Sequence, residues 1–231
     1  MTRRLFRCLA LAAVLLGGSG PRYAGAQVVD PEQPPTSVDR KTVVGGWILG
    51  GIAPINERAT LVFGGLYGNS TGADLAGIFA VVNRTVSPAW MLVVGYVGVR
   101  VEVDDAADPT NHHVRLGAHY RRAWGRLSLD DRVLYEAVLT DQGRENGNRF
   151  RNRLRALYGL APDLGWKPRL FGFAEPIYDD RFSAVQITHV AGGIGGSFGR
   201  IDADLFASRL YRKAGTGGDT DGLTLQLFYR F

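Results

Sequence analysis

The stretch Arg149-Phe150-Arg151-Asn152-Arg153-Leu154-Arg155 puts an arginine at every second position. On a helix, residues two apart spread around the axis and make no face. On a β-strand they share one side, with Phe150, Leu154, Ala156 and Tyr158 on the other. The stretch therefore reads as a strand with one cationic and one apolar face. An arginine turned toward lipid near a bilayer midplane costs about 2–4 kcal/mol. Four would cost on the order of 10 kcal/mol, comparable to the stability of a whole domain. Two architectures avoid that cost. A soluble sandwich buries the apolar faces together and leaves the arginines in water. A membrane barrel turns the arginines into a polar lumen and the apolar face to lipid.

The rest of the chain favours the barrel, because a period of two dominates from Thr42 to Phe231. Leu223, Leu225, Leu227, Tyr229 and Phe231 alternate with Thr224, Gln226, Phe228 and Arg230. Val114, Leu116, Ala118 and Tyr120 oppose Arg115, Gly117, His119 and Arg121. Val133, Tyr135 and Ala137 oppose Asp130, Arg132 and Glu136, and Ile201, Ala203, Leu205 and Ala207 oppose Asp202, Asp204, Phe206 and Ser208. The segment 184–198 is less regular, and a bulge is expected around Gly192-Gly193. Eleven such runs follow one another without a helix-period segment between them. Their connections alternate between tight turns and longer polar loops, as in a transmembrane β-barrel with short turns at one rim and long loops at the other. Trp90, Trp124, Trp166, Phe198 and Phe231 fall at the short-turn rim, and Tyr67, Tyr135, Phe150, Tyr178 and Tyr211 near the other, giving two aromatic girdles. Bacterial barrels carry an even number of strands. The expectation is therefore twelve, with residues near 34–42 supplying one more, and ten if the first run is not a full strand.

The beginning of the chain reads as an export signal. Arg3, Arg4 and Arg7 form a basic opening, Cys8 to Leu16 an apolar run too short to span a membrane, and Ala24-Gly25-Ala26 a cleavage site. Residues 1–26 are read as a cleaved signal peptide, 27–41 as a flexible, proline-rich periplasmic lead-in, and 42–231 as an outer-membrane barrel. The single cysteine, Cys8, leaves with the signal, so no thiol chemistry is expected in the mature chain. The formal charge of +5 is deceptive for the same reason. Removing Arg3, Arg4, Arg7 and Arg22 from the 27 basic residues leaves the remainder balanced against 22 acidic ones, which argues against a nucleic-acid partner.

The order and spacing of several segments resemble a family of small Gram-negative outer-membrane barrels known only as the domain of unknown function numbered twenty-four ninety. They are Trp47 in the first run, Glu57-Arg58 opening the second, the arginine-laced hairpin Arg132 to Arg155, and Phe171-Gly172-Phe173-Ala174-Glu175. Gly192 to Gly199 and the ending Leu227-Phe228-Tyr229-Arg230-Phe231 complete the set. The resemblance implies an outer-membrane barrel, carries no established activity or catalytic residues, and leaves function open. The glycine-heavy opening run (Gly45, Gly46, Gly50, Gly51) departs from the pattern. Phe231, with Tyr229 two residues earlier, resembles the terminal signal read by the outer-membrane assembly machinery. Outer-membrane lipid and lipopolysaccharide are the other expected partners.

Function is read from the lumen. Arg149, Arg151, Arg153 and Arg155 form a ladder about 6.5–7 Å apart, with Arg115, Arg121 and Arg132 on neighbouring inward faces. Glu136, Glu175, Asp130, Asp202 and Asp204 are the acidic partners, with Glu136 expected opposite Arg151 or Arg153 and Glu175 opposite Arg151. The first reading is a narrow pore for small, anionic solutes lined by the ladder. The alternative is a closed structural or interaction barrel filled by ion pairs. Enzymatic readings rank lower. Asp104, Asp105, Asp108, His112 and His113 share a rim, as acids and histidines do in omptin-type proteases, but the chain is short for that class. His112 and His113 are adjacent on a strand and point to opposite faces, which disfavours a shared metal. A lipid hydrolase would need a nucleophile beside His189, and Ser183 lies in a loop. Gly192 to Gly199 lacks the lysine and spacing of a phosphate loop. No cofactor, metal or enzymatic activity is expected.

Overall fold

The computed structural model describes residues 42–70, 73–103, 110–141, 146–160, 166–213 and 219–231. The signal and lead-in, and the loop acids Asp104, Asp105 and Asp108, lie outside them. The described residues form a closed barrel of eleven strands: β1 (Thr42–Asn56), β2 (Ala59–Ser70), β3 (Ala73–Thr85), β4 (Trp90–Val103), β5 (Thr110–Trp124), β6 (Leu127–Thr140), β7 (Gly147–Gly159), β8 (Arg169–Asp179), β9 (Ala184–Phe198), β10 (Ile201–Arg212) and β11 (Thr220–Arg230). A single 3-10 turn, Asp180–Phe182, follows β8.

Among the described residues the closed barrel has eleven strands, rather than the twelve or ten expected. With an odd count, β1 and β11 run the same way, so the barrel closes through a parallel ladder from Thr42↔Thr220 to Ile52↔Arg230, while every other neighbouring pair is antiparallel. The opening run is a full strand, and its glycines explain why it alternates poorly. A Cβ on Gly50 would come within 2.7 Å of the Phe228 ring, and one on Gly51 within 2.7 Å of Phe231. The bare backbone leaves room for the aromatic rings of the last strand, which close the seam. Phe231 donates its backbone N–H to Ile52 and stacks on Phe63 at 6.2 Å.

The hairpins at one rim are tight. Gly125 and Gly199 adopt φ of 57° and 54°, the left-handed conformation that two-residue hairpin loops demand. The irregularity expected at Gly192-Gly193 lies elsewhere: β8 and β9 shift register between Ile177 and Tyr178, while Gly192 and Gly193 pair regularly with Gly172 and Phe171.

The alternation places large apolar side chains outward all around the barrel, with Ile78, Leu116, Leu154, Ile194 and Leu223 all more than half exposed. A continuous apolar outer band is the surface a lipid-embedded barrel presents. Trp90 and Tyr120, and Trp166 and Phe198, pair with ring centroids 5.0 Å apart at the short-turn rim, while Arg122 covers Trp124. Tyr135, Phe150 and Tyr178 form a chain of ring contacts nearer the other rim.

Two kinds of interior result. On β1–β4, Ile48, Ile52, Val62, Leu66, Leu75, Phe79, Val81, Val93, Val97 and Val99 point inward, join Leu134 and Phe228, and fill their side with hydrocarbon. On β5–β8 the inward positions are mostly charged. A second apolar cluster of Phe171, Phe173, Ala191 and Phe206 flanks the charges from β8–β10.

Candidate functional site: the charged interior

The site is built on the hairpin β6–β7 and its neighbours. Strand pairing sets Asp130 opposite Arg155, Arg132 opposite Arg153 and Glu136 opposite Arg149. Glu136 is therefore not directly across from Arg151 or Arg153, and Arg151 faces Ile177 of β8 rather than Glu175. The long guanidinium arms cross the register diagonally. Arg151 donates from Nη1 to Glu136 at 2.9 Å and from Nη2 to Glu175 at 3.0 Å, so one side chain ties three strands.

Glu175 accepts from three arginines: Arg151, Arg153 at 2.7 Å and Arg132 at 3.1 Å. Arg153 also lies 4.4 Å above the Phe173 ring, a cation–π contact in a desolvated place. Glu136 binds Arg151 and Arg115, the latter at 2.6 Å, with His113 at 3.7 Å. Both glutamates are 0% exposed. In that setting a lone carboxylate would be prohibitive, and pairing to several planar guanidiniums offsets the desolvation. Arginine suits this better than lysine, because its fork spans two carboxylates at once.

A second centre is Asp130, which accepts from Arg121 at 2.6 Å and Arg155 at 2.7 Å, with His119 at 3.7 Å. Arg149 stands apart from the ladder's network. It shares Asp179 with Arg181 near the long-loop rim, at 2.8 and 2.6 Å. Asp204 and Asp202 also stand apart, each with its own partner: Arg169 at 2.6 Å and Arg230 at 3.1 Å. His113, His119, His189, Arg169, Arg230 and Asp179 add to the polar interior, together with the uncharged Asn83, Gln186, Thr220, Thr224 and Gln226. Their inward positions follow from strand parity, but their partners range from Arg181, two residues after Asp179, to Asp204, 35 residues from Arg169.

At the short-turn rim two neighbouring pockets share Arg58, Thr85 and Met91. One, about 430 Å³, reaches Ile52, Thr60 and Arg230; the other, about 320 Å³, reaches His119 and Arg121. Tyr229 and Phe231 face outward on the same rim, in edge contact at 5.1 Å. Among the described residues no group of three or more His, Cys, Asp or Glu is arranged to hold a metal ion.

The fold and interior define the class: a closed all-β barrel with an apolar outside and an ion-paired inside. The chain superposes on the outer-membrane barrel LpxR from Salmonella typhimurium with a TM-score of 0.50 at 8% sequence identity, over 74% of this chain and 83% of that one. No protein-family model matches the chain, and no curated protein matches it. The superposition establishes the outer-membrane barrel fold, and it corrects one expectation. LpxR is itself an enzyme, so a barrel of this kind gives no ground for excluding catalysis, and the reading of the chain as a non-enzyme is withdrawn.

Proposed function

We propose that the protein resides in the bacterial outer membrane as a closed barrel, a rigid scaffold whose functional surfaces are its rims and outer face rather than a passage through its centre. The observation that carries this reading is the filled cross-section. Apolar side chains occupy the β1–β4 side, and on the other side Glu136, Glu175, Arg151, Arg153 and Arg155 are all at most 6% exposed. A water-filled passage lined by the ladder would leave those groups wet, as pore-lining charges are. Small barrels fill with side chains in this way, and wider ones hold water. The outer face meets lipid, with lipopolysaccharide against its upper part, and Tyr229 and Phe231 serve as the terminal signal for the assembly machinery.

Planar-bilayer recording with purified protein tests this. The folded state is verified by a gel shift between unheated and boiled samples, since a closed hydrogen-bonded barrel resists unheated detergent. The expected result is no discrete conductance from wild-type protein that shows the shift. Steady anion-selective channels, reversed by Arg151→Glu with Arg155→Glu, would establish the pore instead. Deleting Phe231 is expected to cut outer-membrane assembly sharply in cells; unchanged assembly would remove the terminal-signal reading.

A further inference from the structure

Outside the filled interior, one group of side chains has the connectivity of a proton relay. Val93, Val97 and Val99 of β4 are buried inward, so Tyr96, Gly98 and Arg100 face outward. On β5 the neighbouring outward position is His112, since His113 is buried inside. The Tyr96 hydroxyl lies 2.6 Å from His112 Nδ1, and His112 Nε2 lies 3.3 Å from Asp141 Oδ2, just past the end of β6. Asp141 is tied to the sheet by its backbone N–H, which donates to Thr110. Gly98 is the direct cross-strand partner of His112, and a Cβ there would come within 2.8 Å of the Tyr96 oxygen. The missing side chain is what lets the phenol lie flat across β4 to reach the imidazole. Strands β4 and β5 and the residue just after β6 thus bring a tyrosine, a histidine and an aspartate together.

We propose that Tyr96, His112 and Asp141 form a catalytic relay on the outer face that hydrolyses carboxylic esters of outer-leaflet lipids. The proposal rests on the outer-membrane placement argued above. The roles follow from donor and acceptor chemistry. Asp141 accepts from His112 Nε2–H and so fixes the tautomer in which Nδ1 is the acceptor for the Tyr96 O–H. This is the arrangement of a nucleophile, a base and an orienting carboxylate. Location selects the substrate. The relay lies near the long-loop rim on the lipid-facing side, with the His112 side chain 33% exposed and Asp141 63% exposed. The acyl ester carbonyls of membrane lipids lie at this boundary between headgroup and hydrocarbon. Arg100, one outward position nearer the rim and exposed, supplies positive charge on the headgroup side.

The step balances as an ordinary acyl transfer. Tyr96 Oη bonds to the ester carbonyl carbon as its proton passes to His112 Nδ1. The carbon–oxygen bond to the alcohol breaks, and the leaving oxygen takes that proton. Water then adds to the acyl-tyrosine, giving one proton through His112 back to the tyrosine oxygen and releasing the fatty acid. Ester and water become acid and alcohol, with no other reactant.

The test is fatty-acid release by full-length protein reconstituted in vesicles, one set of phospholipid alone and one with added lipopolysaccharide. The two sets show which lipid supplies the ester. A soluble p-nitrophenyl acyl ester serves as a trapping probe, with the acylated residue located by peptide mass spectrometry. Wild type is expected to release fatty acid from at least one set and to carry the trapped acyl group on Tyr96. Tyr96→Phe, which keeps the ring but removes the nucleophile, and His112→Gln are each expected to lower release about 100-fold or more. Asp141→Asn is expected to have a smaller effect that changes the pH profile. Assembly of every variant is checked by the unheated gel shift. Absence of release and of acyl-Tyr96 from both vesicle sets with correctly folded wild type would overturn the relay and leave the closed scaffold standing. Equal release by Tyr96→Phe would likewise overturn it. Conductance, measured separately, bears on the scaffold alone.

Discussion

The two sides of the barrel solve the same packing problem with opposite chemistry. Strands β1–β4 and the end of β11 fill their interior with Ile48, Val62, Phe79, Val97 and Phe228, whereas β5–β8 fill theirs with arginines and carboxylates. Both sides show lipid the same apolar outer face. On the apolar side each residue contributes on its own, through area removed from water and close contact. On the charged side the contributions are collective. Arg132 and Arg153 are tolerable because Glu175 stands beside them, Arg151 because it shares Glu175 and Glu136, and Glu175 only because of all three. One side should therefore degrade gradually under substitution and the other abruptly.

The largest expected effect is at Glu175. Glu175→Ala leaves three converging guanidiniums without their shared carboxylate, and breaking a buried ion pair from one side costs about 3–5 kcal/mol. We expect loss of the unheated gel shift or a large drop in the urea midpoint. A loss below about 1 kcal/mol would mean that water reaches the network, and the contrast between the two sides would fail. Phe79→Ala probes the apolar side and is expected to cost about 3 kcal/mol through the cavity it leaves beside Phe228. The same measurement should show it as a graded loss.

A sharper version converts one side into the other. Replacing Glu175, Arg132, Arg151 and Arg153 together by leucine or methionine removes every charge that converges on Glu175 and leaves Glu136 paired to Arg115. We expect this quadruple variant to be more stable than Glu175→Ala alone, since apolar replacement of whole buried networks is often neutral or stabilising. If it is worse, the network supplies more than mutual neutralisation. The smallest effects belong to the rims. The exposed pair Arg209–Asp221, at 3.6 Å, should contribute under about 1 kcal/mol, and Arg209→Ala should barely move the midpoint.

One rim contact should be sensitive to acid. Backbone and side-chain hydrogen bonds from Asn148 hold the exposed carboxyl of Asp180 below its ordinary value of 3.8. A depressed pKa means that the contact stabilises the folded state above that ordinary value and is lost as pH falls through the lowered one. Hydrogen exchange of the Asn148 amide should rise, relative to neighbouring amides, only in that acid range. In Asp180→Asn the step should vanish.

The charged side was much more legible than the apolar one, for a reason visible in particular residues. In Arg149 to Arg155 the alternation contrasts arginine with leucine and phenylalanine, so inside and outside separate by chemistry. In β4 the inward Val93, Val97 and Val99 alternate with the outward Leu92 and Val94, and nothing in composition distinguishes the faces. The relay was half visible. His112 stood out as a rim histidine, but Tyr96 and Asp141 lie 16 and 29 residues from it, and only the register Gly98↔His112 brings them to one place.

By itself the sequence determined the local pattern: strands of period two, tight glycine turns, aromatic rims and an arginine face that cannot meet lipid. These are properties of neighbours along the chain, set by side-chain direction on a strand and the cost of exposing charge to hydrocarbon. The tertiary structure alone decided the count of eleven and the parallel seam, because closure depends on whether the first and last strands meet. It also decided which carboxylate answers which arginine. A guanidinium reaches diagonally across the register, so partners such as Arg151 and Glu175 are chosen by the stagger of three strands rather than by spacing in the chain.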